Sequence, residues 1–201
     1  STPLYSSAAS DVYKRQSTDF TTVPDDYSKA APEQNKINGI PVVSFPFYID
    51  KLPSFVHYLH WRFVDDDAIP VCGFEWIHWT AANVPVEALM FDFNDSHALQ
   101  IPEDFSRTMT SMIPEALQGR NSQASRFIGC TDPAITMRYN GPQPPDKDHE
   151  YMFEVFGTEK PLPNLKPGFY MNELLREVRN VTSGVDLSLI HISEPTRRTP
   201  I

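Results

Sequence analysis

A mainly β fold with a few peripheral helices is what this sequence predicts, on three observations. Nineteen prolines stand against eight glycines, and a proline inside a helix removes a hydrogen bond and clashes with the preceding turn. Two stretches, HYLHWRFVD (57–65) and HEYMFEVFGT (149–158), alternate with the period of two that strands require. A helical stripe is clear in GFYMNELLREVRN (168–180), where Met171, Leu174, Leu175 and Val178 share one side after Pro167-Gly168.

Taken in order, NGIPVVSFPFYIDKLPSF (38–55) opens on the turn pair Asn38-Gly39 and continues as one or two short edge strands around Pro46. In 57–65, Leu59, Trp61 and Phe63 share one face, and Tyr58, His60 and Arg62 the other. His57 and His60 read as solvated or core-satisfied residues, not as ligands. FEWIHWTAANVP (74–85) is apolar on both faces and belongs at the centre of a sheet. Strict alternation puts Phe74, Trp76, His78 and Thr80 on one face and Glu75, Ile77, Trp79 and Ala81 on the other, with Asn83 and Pro85 ending the strand. Residues 86–126 read as helix fragments around an Asn/Ser/Gln-rich loop. In 149–158, Tyr151, Phe153 and Val155 line one face.

At 201 residues the chain suits one domain. A net charge of −9 and the lack of clustered Lys and Arg in the body argue against a nucleic-acid partner. No apolar run approaches the ~20 residues of a spanning helix, so membrane insertion is not expected. Nor does the start resemble a secretory signal. The expected location is cytoplasmic. Cys72 and Cys130 form no CxxC unit and are expected as two reduced, partly buried thiols.

The ends read differently. YSSAASDVYKRQ (5–16) and SLIHISEPTRRTPI (188–201) resemble translated sequencing-adapter read-through. Residues 1–16 and 188–201 are therefore expected to be unpacked, non-native tails around one domain over 17–187, and His191, Arg197 and Arg198 receive no functional weight.

DDDAIPVCGFEWIHW (65–79) crowds carboxylates, a histidine and two tryptophans into fifteen positions. On its own it is either an acidic turn or one wall of a small polar pocket. Read with YNGPQPPDKDHEY (139–151) and PGFYMNELL, in this order and spacing, it resembles the phosphatidylethanolamine-binding protein family, above all its bacterial Raf kinase inhibitor-like branch. The resemblance covers about residues 20–184. It implies a Greek-key β-sandwich with a large central antiparallel sheet, a smaller sheet and a few peripheral helices, the pocket lying at one end of the central sheet. The matching pocket positions are Asp65, Asp67, Glu75, Trp76, His78, Pro144, Pro145, His149 and Tyr151. The chain departs from the family pattern at Asp66 and Ile69, where the family loop carries prolines. The family's last helix or strand, near Val181–Val185, is expected to be missing.

The resemblance implies a non-catalytic module for a small anionic or phosphorylated ligand, with no metal or cofactor. It adds a regulatory protein contact and a homodimer to the expected partners. Chemistry agrees with the ligand class: protonated histidines donate strong charge-assisted hydrogen bonds to phosphate, and a nearby Asp65 or Asp67 would hold His78 or His149 charged. The alternative is a hydrolase, with Asp65, His78 and His149 as metal ligands or as an acid–base pair. Against it, the sequence has no nucleophile-elbow serine and no HExxH helix. A third reading is a structural interaction protein.

Overall fold

The computed structural model of the chain describes residues 22–50, 52–91, 98–182 and 188–195. Near the start, β1 (Lys36–Ile37) and β2 (Ile40–Pro41) form a tight hairpin. Its turn is Asn38-Gly39, with φ of 51° and 77°. Two left-handed residues in a row match the twist of the paired strands, and Asn and Gly are the residues that adopt them readily. β3 (Phe47–Asp50) follows Pro46, and β4 (Tyr58–Asp65) is the first long strand. One helical turn, α1 (Ile69–Cys72), carries Pro70 near its start and closes on Gly73 at φ 89°. Next come β5 (Trp76–Pro85), β6 (Met90–Phe91), β7 (Ala98–Ile101), α2 (Phe105–Met112) and β8 (Leu117–Gln118). The described chain ends with α3 (Pro133–Thr136), β9 (Glu150–Thr158), α4 (Met171–Thr182) and β10 (Ser188–Pro195).

The strands form the expected mainly β architecture. A five-stranded antiparallel sheet runs β10-β9-β4-β5-β8, and a smaller sheet runs β3-β7-β6. Leu59, Trp61 and Phe63 of β4 and Tyr151, Phe153 and Val155 of β9 pack against Phe47, Ile49, Leu99 and Ile101 of the smaller sheet. The opposite face of the large sheet is buried too, with Ala82 and Phe156 against Leu174 and Val178 of α4. Each large apolar side chain among them contributes about 1.5–3 kcal/mol when fully buried, so both faces hold the central strands in register.

β5 departs from simple alternation. Leu59 pairs with Val84 and Trp61 with Ala81, so His60 opposes two residues, Ala82 and Asn83. Phe63 pairs with Trp79 and Val64 with Ile77, which leaves His78 as an extra residue. Each irregularity is a bulge that turns the residues between the two bulges over. Trp79 and Ala81 consequently enter the same core as Phe63, while Ala82 joins the cluster under α4. The sequence reading had His78 and Trp79 on opposite faces; the bulge gives both contact with Phe63 and its neighbours. Asn83, at φ 58°, fixes the other bulge through its side chain, which exchanges hydrogen bonds with the backbone of Leu162.

His60 is a satisfied core residue. Burial lowers its pKa to about 3, so the ring is neutral. Its Nδ1 accepts from the Asn83 N–H at 2.9 Å, which leaves the Nε2 proton to donate to Thr158 Oγ1 at 2.8 Å.

Four expectations change. Residues 86–126 hold α2 but also the short strands β6, β7 and β8, each two to four residues long and too brief to show a period. The backbone of Ser188–Pro195, expected as an unpacked tail, pairs with β9 from Gly157 to Glu150. An uncovered β9 edge would present a row of unpaired N–H and C=O groups, which this extended segment satisfies. Residues 1–16 and 196–201 lie outside the described residues. α4 runs through Val181 and Thr182, so the helix continues into the region expected to be missing. Of the two cysteines, both free, Cys130 is half-buried and Cys72 is exposed, because it closes a single turn at the surface.

Candidate functional site

Asp65 ends β4, and the strand registers decide its neighbours. It lies opposite Trp76 of β5 on one side and Tyr151 of β9 on the other. His78 follows Trp76 by two residues and His149 precedes Tyr151 by two, so both rings reach this strand end. His149 donates through Nδ1 to Asp65 Oδ2 at 2.7 Å, across 84 positions of sequence. Through Nε2 it donates to Asp146 Oδ1 at 2.9 Å.

A neutral imidazole has one N–H, and here both ring nitrogens face carboxylate oxygens. Only the doubly protonated ring satisfies both. Burial disfavours that charge, but the hydrogen bonds and charges of Asp65 and Asp146 outweigh it and hold the His149 pKa above its ordinary 6.5. Burial likewise tends to raise the Asp65 carboxyl, yet His78 and His149 outweigh it and bring it below its ordinary 3.8. The other Asp65 oxygen accepts from the Ala68 N–H at 3.0 Å, which ties α1 to the cluster.

His78 is held by the 139–145 loop. Its Nδ1–H donates to the Asn140 carbonyl at 2.6 Å, and the Asn140 N–H donates back to the His78 carbonyl at 2.8 Å. Trp76 Nε1–H donates to Asn140 Oδ1 at 3.3 Å. This leaves His78 Nε2 buried and without a hydrogen-bond partner, 4.0 Å from Asp65 Oδ2. Asn140 Nδ2 and the Tyr151 hydroxyl are also buried and unpartnered. The Tyr151 phenol is pushed well up by burial and then by the surrounding aspartates, Asp65 first, so it keeps its proton. A surface cavity of about 260 Å³ opens over this cluster.

Residues 15–186 match the family model described as phosphatidylethanolamine-binding protein. A Bacillus subtilis relative, the uncharacterised protein YxkA, is 45% identical over 155 residues, covering 77% of this chain and 84% of the relative. The chain belongs to the phosphatidylethanolamine-binding protein family. Two solved structures share its fold. Escherichia coli YbcL, described as a member of the mammalian family, aligns at a TM-score of 0.56 and 19% identity over 78% of this chain and 81% of that one. The homologue CT736 of Chlamydia trachomatis aligns at 0.58 and 20% identity over 89% and 90%.

In this member of the phosphatidylethanolamine-binding protein family, six of the sequence-derived positions line the cavity: Asp65, Trp76, His78, Pro144, Pro145 and His149. Three do not. Tyr151 lies beneath it in the core, its ring 5.3 Å from that of His78. Asp67 accepts from the Glu150 N–H at 3.0 Å and so pins the start of β9. Glu75 pairs with Arg62, at 3.4 Å, where Arg62 also pairs with Glu154. Strand parity puts Glu75 on the side of the sheet away from Trp76.

Two functional groups escaped the sequence reading. Asn140, the first residue of the Asn-Gly pair at 140–141, positions both His78 and Trp76. Asp146 reaches His149 from three residues upstream. For the metal-ligand form of the hydrolase alternative, among the described residues no three His, Cys, Asp or Glu side chains are grouped to hold an ion. No described helix is long and apolar enough to cross a membrane.

Gly141 in the cavity lining has no room for a side chain. A Cβ there would lie 2.3 Å from the Tyr27 carbonyl oxygen and 2.7 Å from Pro41, the residue whose carbonyl accepts from the Gly141 N–H. Gly141→Ala should cost about 1–3 kcal/mol of stability through overpacking, read as a lower urea midpoint at unchanged slope. An unchanged midpoint would mean the loop yields without cost.

Proposed function

We propose that the cavity holds a compact anionic or phosphorylated group without catalysing a reaction on it. The observation that carries this reading is the buried, unpartnered His78 Nε2 beside the charged His149, with the Asn140 amide and Tyr151 hydroxyl also unsatisfied. Buried polar groups are nearly always hydrogen-bonded, so two orphans lining one cavity, His78 and Asn140, with Tyr151 beneath it, support a ligand there. With His78 Nδ1–H fixed on a carbonyl, Nε2 is the ring atom left to meet a ligand's oxygen or hydroxyl. His149 has no lone pair left for accepting a proton and is therefore suited to charge stabilisation, not to general-base work. A kinase-inhibitor-like regulatory role has only the fold behind it, and function follows the site.

Titration calorimetry with phosphate and phosphoethanolamine tests the reading. His78→Ala should weaken binding by roughly 10- to 150-fold, the equivalent of about 1.5–3 kcal/mol for a charged hydrogen bond. His60→Ala should lower stability but leave the dissociation constant unchanged, since His60 is buried away from the cavity. Affinity in the wild type should fall as pH rises through the raised pKa of His149, above 6.5. Equal losses from the two histidine variants would trace the effect to destabilisation and sink the binding reading. Binding that disappears with a chelator would point to a cation instead.

A further inference from the structure

The two carboxylates on His149 are not equivalent. Asp65 is buried, with its side chain 5% exposed, and its second oxygen is fixed by the Ala68 N–H. The Asp146 side chain is 48% exposed and stands in the surface loop directly after Pro145. Asp65 thus occupies the inner nitrogen of the ring as part of the fold, while Asp146 occupies the outer one from the solvent side. Asp146 also adds a negative charge where the proposed ligand brings its own.

We propose that Asp146 is a built-in competitor for the anion, its carboxylate occupying the His149 Nε2–H that a ligand oxygen takes in the bound state. This rests on the anion-binding reading above and sharpens it to a ligand class. A monocarboxylate offers the ring nothing that Asp146 does not already supply at high local concentration. An anion with three oxygens and up to two charges can take the same N–H and also reach the unpartnered His78 and Asn140 nitrogens. The site therefore selects phosphate-type groups over simple carboxylates. Displacement is feasible because the Asp146 carboxylate is half-exposed and rehydrates as it leaves, while the incoming anion keeps the buried imidazolium paired, and the contact spans three residues of one loop. Asp146 is a positioning and selectivity residue, acting through His149.

The test compares the wild type with Asp146→Asn, Asp146→Ala and, as a charge control, Asp148→Asn. Phosphate and acetate are titrated into each at about pH 6, where the imidazolium persists. Circular dichroism confirms folding. Phosphate should bind the two Asp146 variants roughly tenfold more tightly than the wild type, and Asp148→Asn should match the wild type. Acetate should bind Asp146→Ala and shift the His149 ring ¹⁵N signals, because it refills the vacated place, and should leave those of the wild type unmoved. If the wild type binds phosphate and the Asp146 variants bind no better, the competitor idea is overturned while the anion site stands. Equal gains in Asp148→Asn would reduce it to general charge and overturn it too. If no protein binds phosphate, the anion site itself falls, and the competitor with it.

Discussion

Asp65→Ala should lower the unfolding free energy by about 3–5 kcal/mol, the usual consequence of stripping one partner from a buried ion pair. The variant leaves the His149 Nδ1–H and the Ala68 N–H without their acceptor. It also leaves a buried imidazolium paired with the more exposed Asp146 and without its buried carboxylate. The pH dependence has a definite sign. His149 is raised in the fold, so its stabilisation is complete below its unfolded value of about 6.5 and is lost as pH rises through the folded pKa. Asp65 is lowered, so its stabilisation is present above its unfolded value of about 3.8 and is lost as pH falls through the folded pKa. Wild-type stability from this pair is therefore greatest between those two unfolded values. Urea unfolding of wild type and Asp65→Ala across that window and above it measures both effects. A wild type whose stability does not change on passing the His149 pKa, or a variant that retains full stability, would show that the buried pair does not form in solution.

The second large effect belongs to the core. Phe153 of β9 packs against four rings: Phe47 at 4.8 Å, Phe45 at 5.7 Å, Phe63 at 6.0 Å and Trp79 at 6.5 Å between centroids. These rings come from β3, the segment leading into it, β4 and β5, so this one side chain joins both sheets. Phe153→Ala should cost about 3–5 kcal/mol, transfer and cavity terms together, and Phe153→Leu much less. The midpoint of chemical unfolding reports the loss. A drop under about 1 kcal/mol in the alanine variant would mean that the two layers are not packed through this residue. Phe153 and the cavity residue His78 both pack against Phe63, so weaker phosphate binding in Phe153→Ala would link core rigidity to the cavity.

How much of this was readable depends on how each feature is written in the chain. β4, β9 and α4 are long enough for their periods to show, and they lie where alternation and helical spacing put them. β6, β7 and β8 are too short, and tertiary pairing forms them. The bulges of β5 escape because a period of two cannot reveal one extra residue. Six cavity positions came from motif order. Glu75 came from the same motif, yet the alternation already set it across the strand from Trp76 and His78, and the structure sides with the alternation. Asn140 was visible only as half of a turn signal. Asp146 is one exposed aspartate among several in its loop, and only the fold shows which of them meets His149.

The extra residue in β5 has a meaning for how such a site can come and go. Val64 pairs with Ile77 and Phe63 with Trp79, with His78 surplus between them. Loss of that one codon would leave the existing ladder pairs in place and make this end of β5 regular, with the bulge at Ala82 and Asn83 retained. Loss of a codon in the regular stretch between the two bulges would instead turn side chains over to the wrong layer. The histidine with the unpartnered nitrogen is thus the residue the sheet can spare, inserted into a scaffold that closes without it. A single in-frame insertion or deletion can therefore add or remove the cavity's central histidine without shifting the strand pairing on either side, at the cost of its two hydrogen bonds to the Asn140 loop.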